Sequence, residues 1–186
     1  MTMNGQPGVR YSGVAMLLHW AIAIAVIVNW RLAEAAHEGP REAGASLMAT
    51  HKALGMTILA LTLLRLAWRL VHKTPPLSAR LKGWERMLAR VTHVTFYVLL
   101  IALPLGGWIA SSLNGRPVDF FGLFAIPVLP TGLDKDLGKT IFEAHHTGGS
   151  IMIYLIALHV IGALKHTFWD KDGNLWRMLP FGTPRA

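Results

Sequence analysis

The most constraining feature of this chain is a set of four long apolar stretches, over residues 14–32, 47–70, 91–113 and 141–168. A helix needs about 20 residues to cross the hydrocarbon core of a bilayer. Lipid offers no hydrogen-bond partners to the backbone, so spanning segments of this length have to be helical. The sequence therefore predicts an all-α fold, an integral membrane four-helix bundle that forms a single domain over residues 1–186.

Composition agrees with a membrane protein. Of the 186 residues, 53% are hydrophobic and only 15% are charged, and the mean hydropathy of +0.41 is high for a soluble domain. The formal net charge is +8, but no nucleic-acid docking motif accompanies it, so nucleic acid is not an expected partner. The first apolar stretch lacks a small-residue cleavage site and is expected to be a membrane helix, not a cleaved signal peptide.

Loop charges predict the orientation of the bundle. The connection between the second and third stretches carries one acid, Glu85, against five basic residues: Lys73, Arg80, Lys82, Arg86 and Arg90. Because cytoplasmic loops are enriched in Lys and Arg, this connection is predicted to be cytoplasmic. The third connection has balanced charges and many Gly and Pro residues, so it is predicted to be irregular and on the other side. Both termini are then cytoplasmic.

Four histidines lie inside the apolar stretches: His19, His51, His145 and His159. Titratable side chains are costly at membrane depth and usually mark a bound ion, a cofactor or a conduction path. His145 and His159 are 159 − 145 = 14 residues apart, which is close to four helical turns, so they share one face about 21 Å apart. The topology pairs His19 with His159 near the inner surface and His51 with His145 near the outer surface.

Two imidazoles on facing helices at one depth can ligate a haem iron from both sides. The chain contains no cysteine, so any haem would be held without covalent attachment. Small residues near the four histidines would admit a flat ring, although small residues also occur at ordinary membrane helix interfaces; they are Ala23, Gly55, Gly148, Gly149 and Gly162. A single intramembrane histidine could also simply hydrogen-bond across the bundle.

The remaining histidines are weaker ligand candidates. His37 and His72 are predicted in solvated loops, and His146 points about 100° away from His145 on the helix. His93 and His166 lie near the predicted inner surface. They are interpreted either as groups that support the cofactor or the substrate, or as ordinary interfacial residues.

Basic residues at the predicted inner surface are candidate contacts for haem propionates or a quinone head group: Arg65, Lys165 and His166, with His93 beside them. A guanidinium binds a carboxylate with two hydrogen bonds. Arg69 is interpreted instead as the ordinary basic flank of a membrane helix. Since histidine takes up and releases protons near neutral pH, His93 or His166 could carry protons to a quinone.

Several motifs of the chain together resemble the bacterial cytochrome b561 family. They are His19-Trp20, the segment 51–55, the segment 65–69 followed by Thr74-Pro75-Pro76, the segment 93–104, the spacing of His145 and His159, and the closing segments 166–169 and 176–180. The resemblance covers nearly the whole chain. It implies four helices in the inner (plasma) membrane and two non-covalent b-type haems, with ligand pairs His19/His159 and His51/His145. His146 departs from the family pattern, in which an acidic residue is frequent at this position.

The resemblance also implies electron exchange between a donor at one face and quinone in the bilayer. One group of relatives is similar to superoxide oxidases, which take electrons from periplasmic superoxide and reduce ubiquinone. A cationic outer surface could steer superoxide, and the cations predicted there are Lys52, Arg116, Lys135 and Lys139. The alternative interpretation is that most of them are ordinary loop charges balanced by nearby acids. Two alternatives stay open: a membrane-anchor subunit that relays electrons from a hydrogenase or dehydrogenase, and a haem-free histidine-lined transporter or channel.

Overall fold

The fold consists of four long helices, seen in a computed structural model that describes residues 10–76 and 81–182. The helices are α1 (Gly13–Glu38), α2 (Arg41–Val71), α3 (Gly83–Leu113) and α4 (Lys135–Leu164). Each one is long and apolar enough to cross a membrane, which confirms the prediction of four apolar helices. The cytoplasmic placement of the termini and the single-domain organisation stay predictions, and Arg80 lies outside the described residues.

The helices extend beyond the predicted bounds. After residue 32 the sequence is less apolar, but alanine and glutamate are strong helix formers, so α1 continues to Glu38. The prediction that His37 lies in a loop is therefore wrong. Only Gly39 and Pro40 separate α1 from α2. At the start of α3, the Glu85 carboxylate accepts a hydrogen bond from the Lys82 backbone N–H at 2.9 Å, and such a cap starts the helix well before residue 91.

The chain beyond α4 folds back over the bundle. The last helix begins at Lys135, six residues before the predicted start; its regular α-helix ends at Leu164, and a π-helical turn, Lys165–Trp169, carries it to the predicted end near residue 168. A short 3-10 helix, Asn174–Met178, then packs near the start of α1, where the Trp20 indole donates to the Met178 carbonyl at 2.8 Å. We call this end of the bundle the termini end.

The connection between α3 and α4 forms a small β-hairpin in a region predicted to be irregular. Strands β1 (Val118–Phe120) and β2 (Phe124–Ile126) pair antiparallel. The Asp119 carboxylate accepts from the Gly122 N–H at 2.9 Å, and glycine at that position permits a φ of +75°. The hairpin packs near α2 and defines the hairpin end of the bundle.

Helix packing is uneven around the bundle. α1 packs mainly on α2, α3 packs mainly on α4, and α2 also packs on α3, whereas direct contacts of α4 with α1 or α2 are few. The α1–α2 contact is close, because a Cβ on Gly44 would lie 2.5 Å from the Ala36 carbonyl oxygen. Large apolar side chains such as Leu17 and Ile24 point outward, as expected for surfaces that face lipid.

Candidate functional site

His51 on α2 faces His145 on α4 near the hairpin end. Their ring centroids are 6.0 Å apart, with an angle of 83° between the ring planes. Nδ1 of His51 lies 3.0 Å from the Asn29 carbonyl oxygen, and Nδ1 of His145 lies 2.9 Å from the Leu103 carbonyl oxygen. Because a carbonyl oxygen can only accept, each Nδ1 carries the proton and each Nε2 keeps its lone pair. This is the tautomer that ligates a metal through Nε2.

His19 on α1 faces His159 on α4 nearer the termini end. The two ring centroids are 6.4 Å apart, with an angle of 72° between the planes. The rings of Phe96 and His93, both on α3, lie 5.4 and 5.8 Å from the His159 ring. All four histidines of the two pairs are half-buried. The structure thus brings together the two pairs that the sequence predicted, and places His93 beside one of them.

The spacing within each pair fits two imidazoles on one metal ion. An imidazole nitrogen binds a metal at about 2.0 Å and lies roughly 1.1 Å from its ring centroid, so two rings on opposite sides have centroids about 6 Å apart. The observed separations are 6.0 and 6.4 Å. Both pairs also bridge α4 to α1 or α2, where direct helix contacts are few. The donor set and its spacing therefore fit a haem at each pair.

Gly107 on α3 lies against the His145 ring. A Cβ at this position would lie 3.3 Å from Cε1 and 3.4 Å from Nδ1 of that ring, so glycine allows the backbone to support the imidazole closely. Around Gly149 and Gly162, by contrast, a Cβ would meet nothing within 4 Å among the described residues. These two glycines leave space beside the histidines of α4.

The basic candidates are held in different ways. The guanidinium of Arg65, on α2, donates to the Ala15 carbonyl at 2.6 Å, so it contacts α1 about one helical turn before His19. The Arg69 guanidinium lies 5.8 Å from the centroid of the Tyr97 ring, within the range of a cation–π contact. Of the two arginines, Arg65 therefore lies nearer to the His19/His159 pair.

Lys165 and His166 belong to an ionic cluster at the termini end, with Glu85 and Asp170. The Lys165 ammonium lies 3.0 Å from Glu85 and 2.6 Å from Asp170, and His166 Nδ1 lies 2.7 Å from Asp170 Oδ2. The Lys165 ammonium, with the His166 imidazole, holds the pKa of the Asp170 carboxyl below its usual range. The charge of Lys165 is thus matched by two carboxylates.

The sequence alone does not indicate several residues of these sites. Glu85 has only the appearance of a loop charge, whereas Asp170 has one available signal, its spacing of four residues from His166, which is typical of a helical contact. The carbonyls of Asn29 and Leu103 carry no sequence signal, because any residue has one. Gly107 has a weak signal, since glycine is common at membrane helix contacts.

Four spanning helices with two facing imidazole pairs define a membrane protein that can hold flat metal cofactors between its helices. The chain belongs to the prokaryotic cytochrome b561 family, whose model matches residues 10–181. It is similar to "Cytochrome b561 homolog 2" of Escherichia coli strain K12, 28% identical over 177 residues that cover 91% of each chain. It is also similar to "Probable superoxide oxidase CybB" of Yersinia pestis, 30% identical over 92% of this chain and 96% of the relative. A third relative, "Cytochrome b561 homolog 1" of Escherichia coli strain K12, is 29% identical over 92% of this chain and 97% of its own length.

Family membership establishes the broad class of the protein. It is a multi-pass bacterial membrane cytochrome that binds b-type haem and serves electron transport as an oxidoreductase. The family assignment confirms the resemblance seen in the sequence. It also removes the alternative of a haem-free transporter or channel.

Proposed function

We propose that this cytochrome holds two haems and carries electrons through the inner membrane from periplasmic superoxide to ubiquinone. The haem near the hairpin end is bound by His51 and His145, and the haem near the termini end by His19 and His159. The observation that carries this proposal is the pair of matched imidazole spacings, 6.0 and 6.4 Å, at two levels of one bundle. The relative named as a probable superoxide oxidase supports the choice of donor.

The chemistry divides between the cofactors and the chain. Bound haems supply reversible one-electron redox chemistry at two depths. The chain supplies ligands of fixed tautomer, a protein interior of low dielectric and the separation between the two pairs, about 21 Å along α4 for 14 residues. Two superoxide anions each lose one electron and leave as dioxygen, while one quinone takes two electrons and two protons to become quinol.

At the hairpin end, cations lie close to the His51 pair. Lys52 follows His51 directly and is half-buried, and Arg116 lies near enough to interact with it electrostatically. A concentration of positive charge raises the local concentration of a small anion. These two residues are proposed to draw superoxide toward this end. Lys139, in contrast, lies 3.9 Å from Glu143, and both are strongly exposed.

At the termini end, His166 is the proposed proton donor for quinone. Its Nδ1 is bound to Asp170, which fixes the ring and leaves Nε2 to give a proton to a quinone oxygen. The side chain borders a cavity of about 240 Å³ that Glu85 and Lys165 also line. His93 is the weaker candidate for this role, because its ring packs against His159. Arg65, beside Ala15, is the proposed partner of a haem propionate.

Stopped-flow spectroscopy of the purified holoprotein tests this function. After mixing with superoxide, the absorbance of the α-band of reduced haem is expected to rise. Addition of ubiquinone with a short side chain is then expected to lower that absorbance again. Dismutase added beforehand is the control and should abolish the reduction. Holoprotein that superoxide does not reduce, but that copurifies with a large soluble redox enzyme, would overturn the proposal in favour of a membrane-anchor subunit.

His166→Gln separates the two ends of the path. Reduction by superoxide should keep its wild-type rate, while reoxidation by ubiquinone should slow by about 100-fold, since general acid catalysis contributes about 10²–10⁴-fold. Histidine-to-glutamine substitution at the exposed His37 is the matched control and should change neither rate. Unchanged reoxidation in His166→Gln would remove this residue from the proton path.

A further inference from the structure

A basic cavity opens at the termini end between the start of α1, the end of α2 and α3. Its volume is about 350 Å³, within the range of about 300–1,000 Å³ that is usual for ligand pockets. Among the residues that the structure describes, four cationic side chains and no acidic one line it: the cations are Arg10, Arg65, Arg69 and Lys73. Four like charges around one cavity repel each other, and an anion bound between them would offset that repulsion.

Other features of the basic cavity also suit an anion. Tyr97 lines it, and its hydroxyl is buried without a hydrogen-bond partner among the described residues. A phenol can donate to an anionic oxygen. The Arg10 guanidinium is anchored by the Pro180 carbonyl at 2.7 Å, and the Trp68 indole donates to the Ser12 hydroxyl at 3.1 Å. The walls are therefore held in place before any ligand enters.

We propose that the basic cavity binds the phosphate of an anionic phospholipid from the surrounding leaflet. Arg65, at the deep end, contacts α1 one turn from His19 and is assigned above to the cofactor. Val71 ends α2 six residues further on, roughly 9 Å along the axis. Arg69 and Lys73 lie close to that end of the helix, the level at which we expect the lipid phosphates.

The surface beside the basic cavity fits the rest of such a lipid. Leu70 and Val71, which follow Arg69 in the sequence, are 79% and 77% exposed, and Val94 and Val98, on either side of Tyr97 in the sequence of α3, are 63% and 57% exposed. Acyl chains could lie on these apolar surfaces while guanidinium and ammonium groups hold the phosphate. Basic pockets between membrane helices commonly bind the head groups of acidic lipids in this way. The proposal does not depend on the identity of the electron donor.

Native mass spectrometry of the detergent-purified holoprotein tests this site. Dioleoyl phosphatidylglycerol and dioleoyl phosphatidylcholine, which share their acyl chains, are titrated separately. Wild-type protein should bind the acidic lipid more tightly. Since each cation near a membrane surface contributes about fivefold to the binding of acidic lipid, the double variant Arg69→Gln/Lys73→Gln should lose roughly 25-fold in affinity. The single variant Lys73→Gln, outside the helices, should lose about fivefold.

Lys135→Gln/Lys139→Gln is the matched control, because it removes two exposed cations at the hairpin end and changes the net charge equally. This control should keep the wild-type preference for phosphatidylglycerol. Equal binding of the two lipids by the wild-type protein would overturn the proposal, and so would wild-type binding by the folded Lys73→Gln and double variants. Saturation of the cavity by inorganic phosphate in place of lipid would also overturn it. A shifted haem potential with unchanged lipid binding would assign these cations to haem propionates instead.

Discussion

Gly107→Ala should disturb the haem near the hairpin end and spare the other one. The added methyl would lie 3.3 Å from Cε1 and 3.4 Å from Nδ1 of His145, closer than the roughly 3.5–4.0 Å at which carbon atoms pack best. The ring has to move by a few tenths of an ångström, which weakens its 2.9 Å hydrogen bond to the Leu103 carbonyl. Disturbing a group that orients a metal ligand costs about 10–100-fold in affinity. We expect about tenfold, equivalent to about 1.4 kcal/mol.

Gly106→Ala is the matched control for this experiment. A Cβ on Gly106 would lie 3.7 Å from the Ile141 side chain, an ordinary contact. Both substitutions bring the same gain in helix propensity, about 1 kcal/mol, so the difference between them isolates the contact with His145. Haem transfer to apomyoglobin measures the effect. Half of the haem should leave Gly107→Ala about tenfold faster than it leaves Gly106→Ala. Equal transfer rates in the two variants would refute the reasoning.

Three further predictions follow from the histidine pairs and the ionic cluster. His159→Ala should retain about half of the haem per protein, because His51 and His145 remain; a haemochrome assay measures this, and loss of all or none would contradict the pairing. His37→Ala should leave the absorption spectrum unchanged, since the side chain is exposed, and a lost band would make this residue a ligand. The lowered pKa of Asp170 means that its contribution to stability is complete above about pH 4 and is lost as the pH falls through the folded-state pKa. Asp170→Asn should remove that part of the acid sensitivity of thermal unfolding below about pH 4, whereas an unchanged profile would show that the Asp170 carboxylate does not stabilise the fold.

The main elements of the fold could be predicted because membrane helices carry a strong sequence signal. Four apolar stretches with interior histidines were sufficient to predict four helices and the pairs that face each other in the structure. The helix ends were harder. Hydropathy marks where lipid contact stops, whereas helix ends depend on propensity and capping, as at Glu38 and at Glu85.

The finer features of the sites depend on contacts between distant parts of the chain. His145 is oriented by a backbone carbonyl 42 residues away, and Lys165 reaches Glu85 across 80 residues. Neither contact has a local pattern, because only the packing of α3 on α4 creates it. The short strands β1 and β2 are equally hard to predict, since three residues each give too little alternation to be read.

α4 contributes one histidine to each of the two pairs, and this has a consequence for biogenesis. Of the four helices it is the last to leave the ribosome. Until α4 enters the bilayer, α1 and α2 of the nascent protein each carry one unpaired imidazole, so neither haem can gain its second ligand. Under the proposed ligation, cofactor loading has to follow insertion of the final helix, and a chain stalled before α4 would stay in the membrane without stable pigment.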